Sequence, residues 1–178
     1  MNRLIYWFNS TKMKTLLLIR HAKSSWDDPG LQDFDRVLTD RGKKNAPEMA
    51  KRLIKRKARI NLFVSSPAKR AKSTAELFMK EFGKNKRELL LVPLLYNAGE
   101  EDFYTVISGL DDEYDHVAVF SHNPGITDFA NELTGVRVDN IPTCGIFAIS
   151  IETEKWNQFR NMKKEFLFFD YPKSTEDK

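Results

Sequence analysis

The sequence predicts an α/β fold, a three-layer α/β/α sandwich around a mostly parallel central sheet. Short apolar runs of strand length alternate with stretches of helical periodicity along the chain. Two of those runs, Leu16-Leu17-Leu18-Ile19 and Val117-Ala118-Val119-Phe120, are unbroken, as in strands buried on both faces. The 178 residues, 41% hydrophobic and 30% charged with thirteen phenylalanines, fit one domain with one substantial core. No repeat, low-complexity tract or linker divides them.

Residues 1–12 read as an N-terminal extension, able to pack through Trp7 and Phe8. Its apolar run, Leu4 to Phe8, is too short for the hydrophobic region of a signal peptide. The domain proper is expected over 13–171, with a frayed tail at 172–178. Strands are expected at 15–19, 61–65, 89–92, 117–121 and 145–151, with a sixth near 166–169. The first long helix begins at Thr39, an N-cap ahead of Asp40 and Arg41, and Ala46, Met49, Ala50, Leu53 and Ile54 follow helical spacing. Pro47 inside it predicts a kink or a late restart. A second helix opens at Pro67, a residue favoured in a first turn, with Ala68, Ala71, Ala75, Phe78 and Phe82 as its buried stripe. Helices near 101–109 and 124–134 complete the pattern.

The formal charge of +4 is unevenly spread. From Arg41 to Lys72 there are twelve lysines and arginines against one acid, Glu48; from Gly99 to Asp115 there are seven acids and no base. Such blocks fit either solvated helix faces or a basic apron that steers an anionic substrate or an acidic partner. No nucleic-acid motif accompanies the charge. A single cysteine, Cys144, excludes an internal disulfide and suits a reducing, cytoplasmic setting; its expected place is a small buried side chain in a turn before a core strand. No apolar stretch has the length of a membrane span.

Three segments repeat one device, a strand followed by a sharp polar turn. LLLIRHAKSSW carries Arg20 and His21; LFVSSPAKRAKSTAE places Arg70 on the first turn of the second helix; HVAVFSHNPGIT carries His122. Open α/β sheets put their sites at the carboxyl ends of strands, where helix N-termini and arginine forks attract phosphate. His116, the third histidine, opens a strand without a motif and reads as structural.

These motifs resemble the histidine phosphatase superfamily, which includes the phosphoglycerate mutases and acid phosphatases. Within it, RHAKSSW, DFDRVLTDRG, SSPAKRAKSTAE and SHNPG are most similar to the SixA-type phosphohistidine phosphatases, over about Met13 to Ile151. The resemblance implies a phosphoglycerate mutase-like fold and a nucleophilic His21 that forms a covalent phosphohistidine. It implies that Arg20, Arg70 and His122 surround the transferring phosphoryl group, His122 as a cationic ligand. No metal and no other cofactor is implied. Arg36 either reaches the substrate rim or pairs with Asp33 or Asp35, and Ser24 is either close to the site or a capping residue. Ala22 stands where the superfamily has glycine, so the backbone there must avoid a glycine-only conformation. Asp27 replaces the asparagine of the mutases, and Val37 replaces a proline.

No general acid is evident. Glu100 and Glu101 lie in the right broad region but match no acid motif, and acids at a helix start have their own explanation in the dipole. The expected substrate is phosphohistidine on a signalling or phosphotransfer protein. The alternative is a small phosphomonoester metabolite, and a noncatalytic phosphate-binding protein is a third reading. Neither nucleic acid nor a membrane is an expected partner.

Overall fold

The computed structural model describes residues 12–26 and 30–174. Expectations for residues 1–11 (Trp7 and Phe8 included), for Asp27 and for residues 175–178 lie outside the described residues. The elements run β1 (Met13–Arg20), α1 (Asp40–Lys55), β2 (Leu62–Ser65), α2 (Lys69–Glu81), β3 (Leu90–Leu91), α3 (Glu100–Ser108), β4 (His116–Ser121), α4 (Gly125–Leu133), β5 (Ile146–Glu152) and β6 (Lys164–Asp170). The sheet order is β3-β2-β4-β1-β5-β6. The β1–β4, β4–β2 and β2–β3 pairs are parallel, and β5 runs against both β1 and β6. The sheet is therefore mostly parallel, with β1 and β4 adjacent at its centre.

Register builds the two cores. Phe63, Ala118, Leu17, Ala148 and Phe168 form one cross-strand row, and it packs against Ala46, Met49, Ala50 and Leu53 of α1 and Ala75 and Phe78 of α2. The next row, Val64, Val119, Leu18, Phe147 and Phe169, faces the other way, onto Phe103 and Ile107 of α3 and Ile126 and Phe129 of α4. Unbroken apolar strands are thus consumed on both faces, giving three layers.

Helix α1 runs through Pro47 without the late restart, one of the two outcomes expected there. One missing N–H and a ring clash cost about 3 kcal/mol in a helix interior, and the buried stripe on either side, Ala46, Met49, Ala50 and Leu53, offsets that. Two local expectations are corrected. Helix α2 begins at Lys69, two residues after Pro67, because Ala68 is extended (ψ 133°) and its N–H is taken by Ser66 Oγ at 3.2 Å. Residues 172–174 are tied down, with Arg52 of α1 donating to the Tyr171 and Pro172 carbonyls and Ser174 N–H donating to Tyr171 O. The Thr39 cap is as expected, its hydroxyl accepting from Gly42 N–H at 3.2 Å.

Candidate active site

The carboxyl ends of β1 and β4 open into a cleft of about 320 Å³. Parallel pairing sets Arg20 opposite Ser121, so the residues that follow, His21 and His122, emerge side by side with ring centroids 5.1 Å apart. From β2 the chain adds Ser66, and the first turn of α2 adds Arg70. Arg20, His21, Arg70 and His122 all line the cleft, together with Lys23, Ser24, Trp26, Asp33, Arg36, Asn97, Asn123 and Thr143.

Close approaches hold the rims. A Cβ on Gly125 would sit 1.8 Å from the Ala98 carbonyl oxygen, so only glycine lets the start of α4 meet the 96–98 loop. Behind Arg20 and His21, Cys144 adopts a left-handed φ of 65°, and its N–H is shared between their two carbonyls at 3.1 Å each. Cys144 is buried, as expected, and burial pushes its thiol pKa upward. Ala22 avoids positive φ, and its N–H donates to Thr74 Oγ1 at 3.0 Å.

The His21 tautomer is set by its neighbours. Nδ1 lies 2.8 Å from the Ala22 carbonyl, which can only accept, so Nδ1 carries the proton and Nε2 keeps a lone pair. Arg70 Nε donates to that nitrogen at 3.2 Å. Burial lowers the His21 pKa to about 3; the Ala22 hydrogen bond opposes this, and the charges of Arg70, Arg20 and Arg36 add to it. Burial likewise lowers His122 to about 3, with His21 and Arg70 contributing. Burial among positive groups thus favours the neutral form of His122, whereas the cationic role expected for it applies when phosphate is bound. The buried Ser66 hydroxyl has, among the described residues, no acceptor for its proton other than His122 Nε2, 2.8 Å away, which leaves the ring proton on Nδ1. That Nδ1 and Arg20 Nε are the buried side-chain polar atoms without a hydrogen-bond partner among the described residues. Both belong to cleft-lining side chains. Two unpaired donors in one cleft match an anion with several oxygens.

The arginines are anchored differently. Arg70 donates to the Asp33 carbonyl and, at 2.9 Å, to Asp33 Oδ2. Tyr96 Oη also donates to Oδ2, and Arg36 Nη1 donates to Oδ1, each at 2.9 Å. Partial burial would raise the Asp33 pKa, but hydrogen bonds from Arg36, Tyr96 and Arg70 outweigh it and hold the carboxyl at about 2. Arg36 both pairs with Asp33 and lines the cleft; it reaches Ser24 Oγ at 2.8 Å, and the Trp26 ring covers its guanidinium. Ser24 is thus buried beside the site rather than capping a helix. Arg20 Nη1 donates instead to the Ile141 carbonyl at 2.7 Å and to Asn140 Oδ1 at 3.3 Å.

Glu100 and Glu101 are not brought into the cleft. They open α3, and Glu101 is paired with Arg160. Of the basic run from Arg41 to Lys72, only Arg70 lines the cleft, and Arg52 and Arg56 pair with Asp170 instead. His116 lies at the opposite end of β4.

Residues 16–92 match the model of the histidine phosphatase superfamily, branch 1. The SixA protein of Agrobacterium tumefaciens superposes with a TM-score of 0.76 at 25% identity, covering 89% of this chain and 98% of that one. Over residues 16–92 the chain is similar to the histidine phosphatase superfamily. That match and the likeness to SixA structures indicate a phosphatase enzyme. The tungstate complex of the protein histidine phosphatase SixA has the same fold (TM-score 0.76, 22% identity, 89% and 97% covered). So does a mycobacterial glucosyl-3-phosphoglycerate phosphatase (TM-score 0.62, 15% identity, 87% and 97% covered). An uncharacterised chloroplastic protein of Arabidopsis thaliana is 26% identical over 153 residues, 82% of this chain and 70% of its own length.

Sequence reasoning reached the histidines and arginines of this cleft but undervalued Asp33, Ser66 and Tyr96. Asp33 entered only as a possible partner of Arg36. Ser66 was legible as the residue leaving β2, the position equivalent to His21 and His122 on their strands. Tyr96 closes a three-residue 3-10 turn, Pro93–Leu95, and no periodicity marks it.

Proposed function

We propose that the protein removes the phosphoryl group from phosphohistidine on another protein, with His21 as nucleophile. The observation that carries this reading is the state of Asp33, the one carboxylate lining the cleft among the described residues. Held at about 2 by three donors, it has no proton to give at neutral pH. An alkoxide leaving group needs a proton donor. The imidazole of phosphohistidine, once protonated on its other ring nitrogen, departs neutral without one. Glu100 and Glu101 lie outside the cleft, which weighs against the alternative of a small phosphomonoester.

In this reading the phosphoryl oxygens take the unpaired Arg20 Nε–H and His122 Nδ1–H. Arg70 exchanges its hydrogen bond to His21 Nε2 for one to phosphoryl oxygen, freeing the lone pair. Nε2 then attacks phosphorus as the substrate P–N bond breaks, and the arginines stabilise the charge on the equatorial oxygens. Water cleaves the resulting phosphohistidine, releasing phosphate and restoring neutral His21.

The test is parallel hydrolysis of a phosphohistidine-bearing protein and an aryl phosphate, with H21A as control. Fast turnover of the first, slow turnover of the second and loss of both in H21A, by about 10⁴-fold or more, are expected. Preference for the ester would overturn the substrate assignment, and turnover surviving in H21A would overturn the nucleophile.

A further inference from the structure

The largest part of the basic run is not near the cleft. Lys57 and Arg59 lie instead beside Thr15 and His116 at the amino-terminal ends of β1 and β4, about 20 Å from His21 at a strand rise of roughly 3.3 Å per residue. There, Thr15, Leu17, Arg56, Lys57, Ala58, Arg59, His116, Leu167 and Phe168 line a second cavity, of about 510 Å³.

Its origin is in the register. Helix α1 stops at Lys55, so it leaves the start of the sheet uncovered on that face. Leu17 and Phe168, in one cross-strand row, bound its apolar side. One row down, Thr15 pairs with His116 and Ser150, so the floor becomes polar. Neither the Thr15 hydroxyl nor the His116 imidazole has a hydrogen-bond partner among the described residues.

The rim is cationic. Lys57 N–H donates to Ile54 O and Ala58 N–H to Leu53 O, a Schellman closure that requires a left-handed residue after the helix. Glycine is the usual occupant, yet here it is Lys57, at φ 58°. A charge at a helix C-terminus gains from the dipole, but that does not account for Arg59, which lies beyond the helix. Arg56 is shared with Asp170 at 3.7 Å and sits over the Phe168 ring. Lys57 and Arg59 have no carboxylate within ion-pair distance among the described residues. Partial burial lowers the His116 pKa; Asp115 opposes this, while Arg59 and Lys14 reinforce it.

We propose that this cavity is a second ligand site, which takes a small organic anion, a phosphate or carboxylate group attached to a flat apolar body. The anion meets Lys57, Arg59, Thr15 and His116, and the apolar body lies on Leu167 and Phe168. A volume of this size lies within the range of small-molecule sites.

Phenylphosphonate, which cannot be hydrolysed at phosphorus, is the probe. Titrated into the ¹⁵N-labelled full chain, it is expected to shift and saturate amides at the far end (Ala58, Ile60, His116) separately from those of the cleft (Ala22, Lys23). K57G and R59Q should each weaken far-end binding about fivefold, the worth of one exposed charge contact, and leave cleft shifts unchanged. K57G also removes a left-handed side chain, so it should melt at the same or a higher temperature, which separates lost binding from lost folding. Shifts confined to the cleft, or far-end shifts indifferent to both variants, would overturn the proposal. Inorganic phosphate should bind the far end more weakly than phenylphosphonate, and equal affinity would overturn the role of the apolar floor.

Discussion

The two walls of the cleft hold their arginines by opposite means. On one wall Arg70 and Arg36 converge on the carboxylate of Asp33, which Tyr96 also engages. On the other, Arg20 rests on a backbone carbonyl and a carboxamide and has no carboxylate within ion-pair distance among the described residues. Neutral acceptors fix a guanidinium in place without cancelling its charge. A carboxylate fixes it more firmly, but brings a negative charge towards an anionic substrate. The Asp33 wall is therefore built for orientation and the Arg20 wall for attraction.

Removing each arginine should break this symmetry most visibly. R20A loses one positive donor, and kcat/KM should fall about 10²-fold, as for a lost charge-stabilising group. R70A loses a donor and also frees the Asp33 carboxylate to face the phosphoryl group, so its loss should be larger, about 10³-fold. The double variant R70A/D33N removes that stranded charge and should recover roughly tenfold over R70A. Equal losses in R20A and R70A, with no recovery in the double variant, would mean that Asp33 exerts no charge on the site.

Asp33→Asn alone sharpens the same contrast on a smaller scale. Asparagine keeps a carbonyl acceptor for one arginine but cannot hold Arg36, Arg70 and Tyr96 together. Loss of aim costs rate even when charge improves. The expected result is a fall in kcat of about tenfold with KM unchanged or lower, because the cleft becomes more positive. A lower kcat with a raised KM would instead identify Asp33 as part of the fold of its loop.

The contrast between the walls also explains what the sequence disclosed. Arg20, His21 and His122 were legible because they leave unbroken apolar strands, so burial of the strands dictates where those side chains emerge. Arg70 was legible because a helix start follows a strand end, even though α2 begins two residues later than Pro67 suggested. Asp33 sits in a short 3-10 turn, Asp33–Asp35, whose residues are not buried, so no periodicity marks it. Its role comes from partners far along the chain, Arg70 and Tyr96. Glu100 and Glu101 were drawn by proximity in sequence to the third strand, whereas α3 keeps them at its own start and uses Glu101 for Arg160.

The smallest expected effect is in the titration of the two histidines, which divide the way the walls do. Both have folded pKa values of about 3, below an ordinary value of 6.5, chiefly through burial. A depressed histidine stays neutral in the folded chain while the unfolded chain takes up a proton, so folding stability should fall as the pH drops from 6.5 towards 3. Asp33 adds a further loss only between 3.8 and about 2. In the free protein the ring Cε1–H resonances of His21 and His122 should show no titration between about pH 5 and 8. Phosphate should then separate them. His122 carries the unpaired Nδ1–H, so a bound anion should raise its pKa further than that of His21, whose Nδ1 is committed to Ala22. A larger rise at His21 would mean that the anion's charge acts chiefly on the Asp33 wall, and would make that wall, rather than the Arg20 wall, the one that attracts.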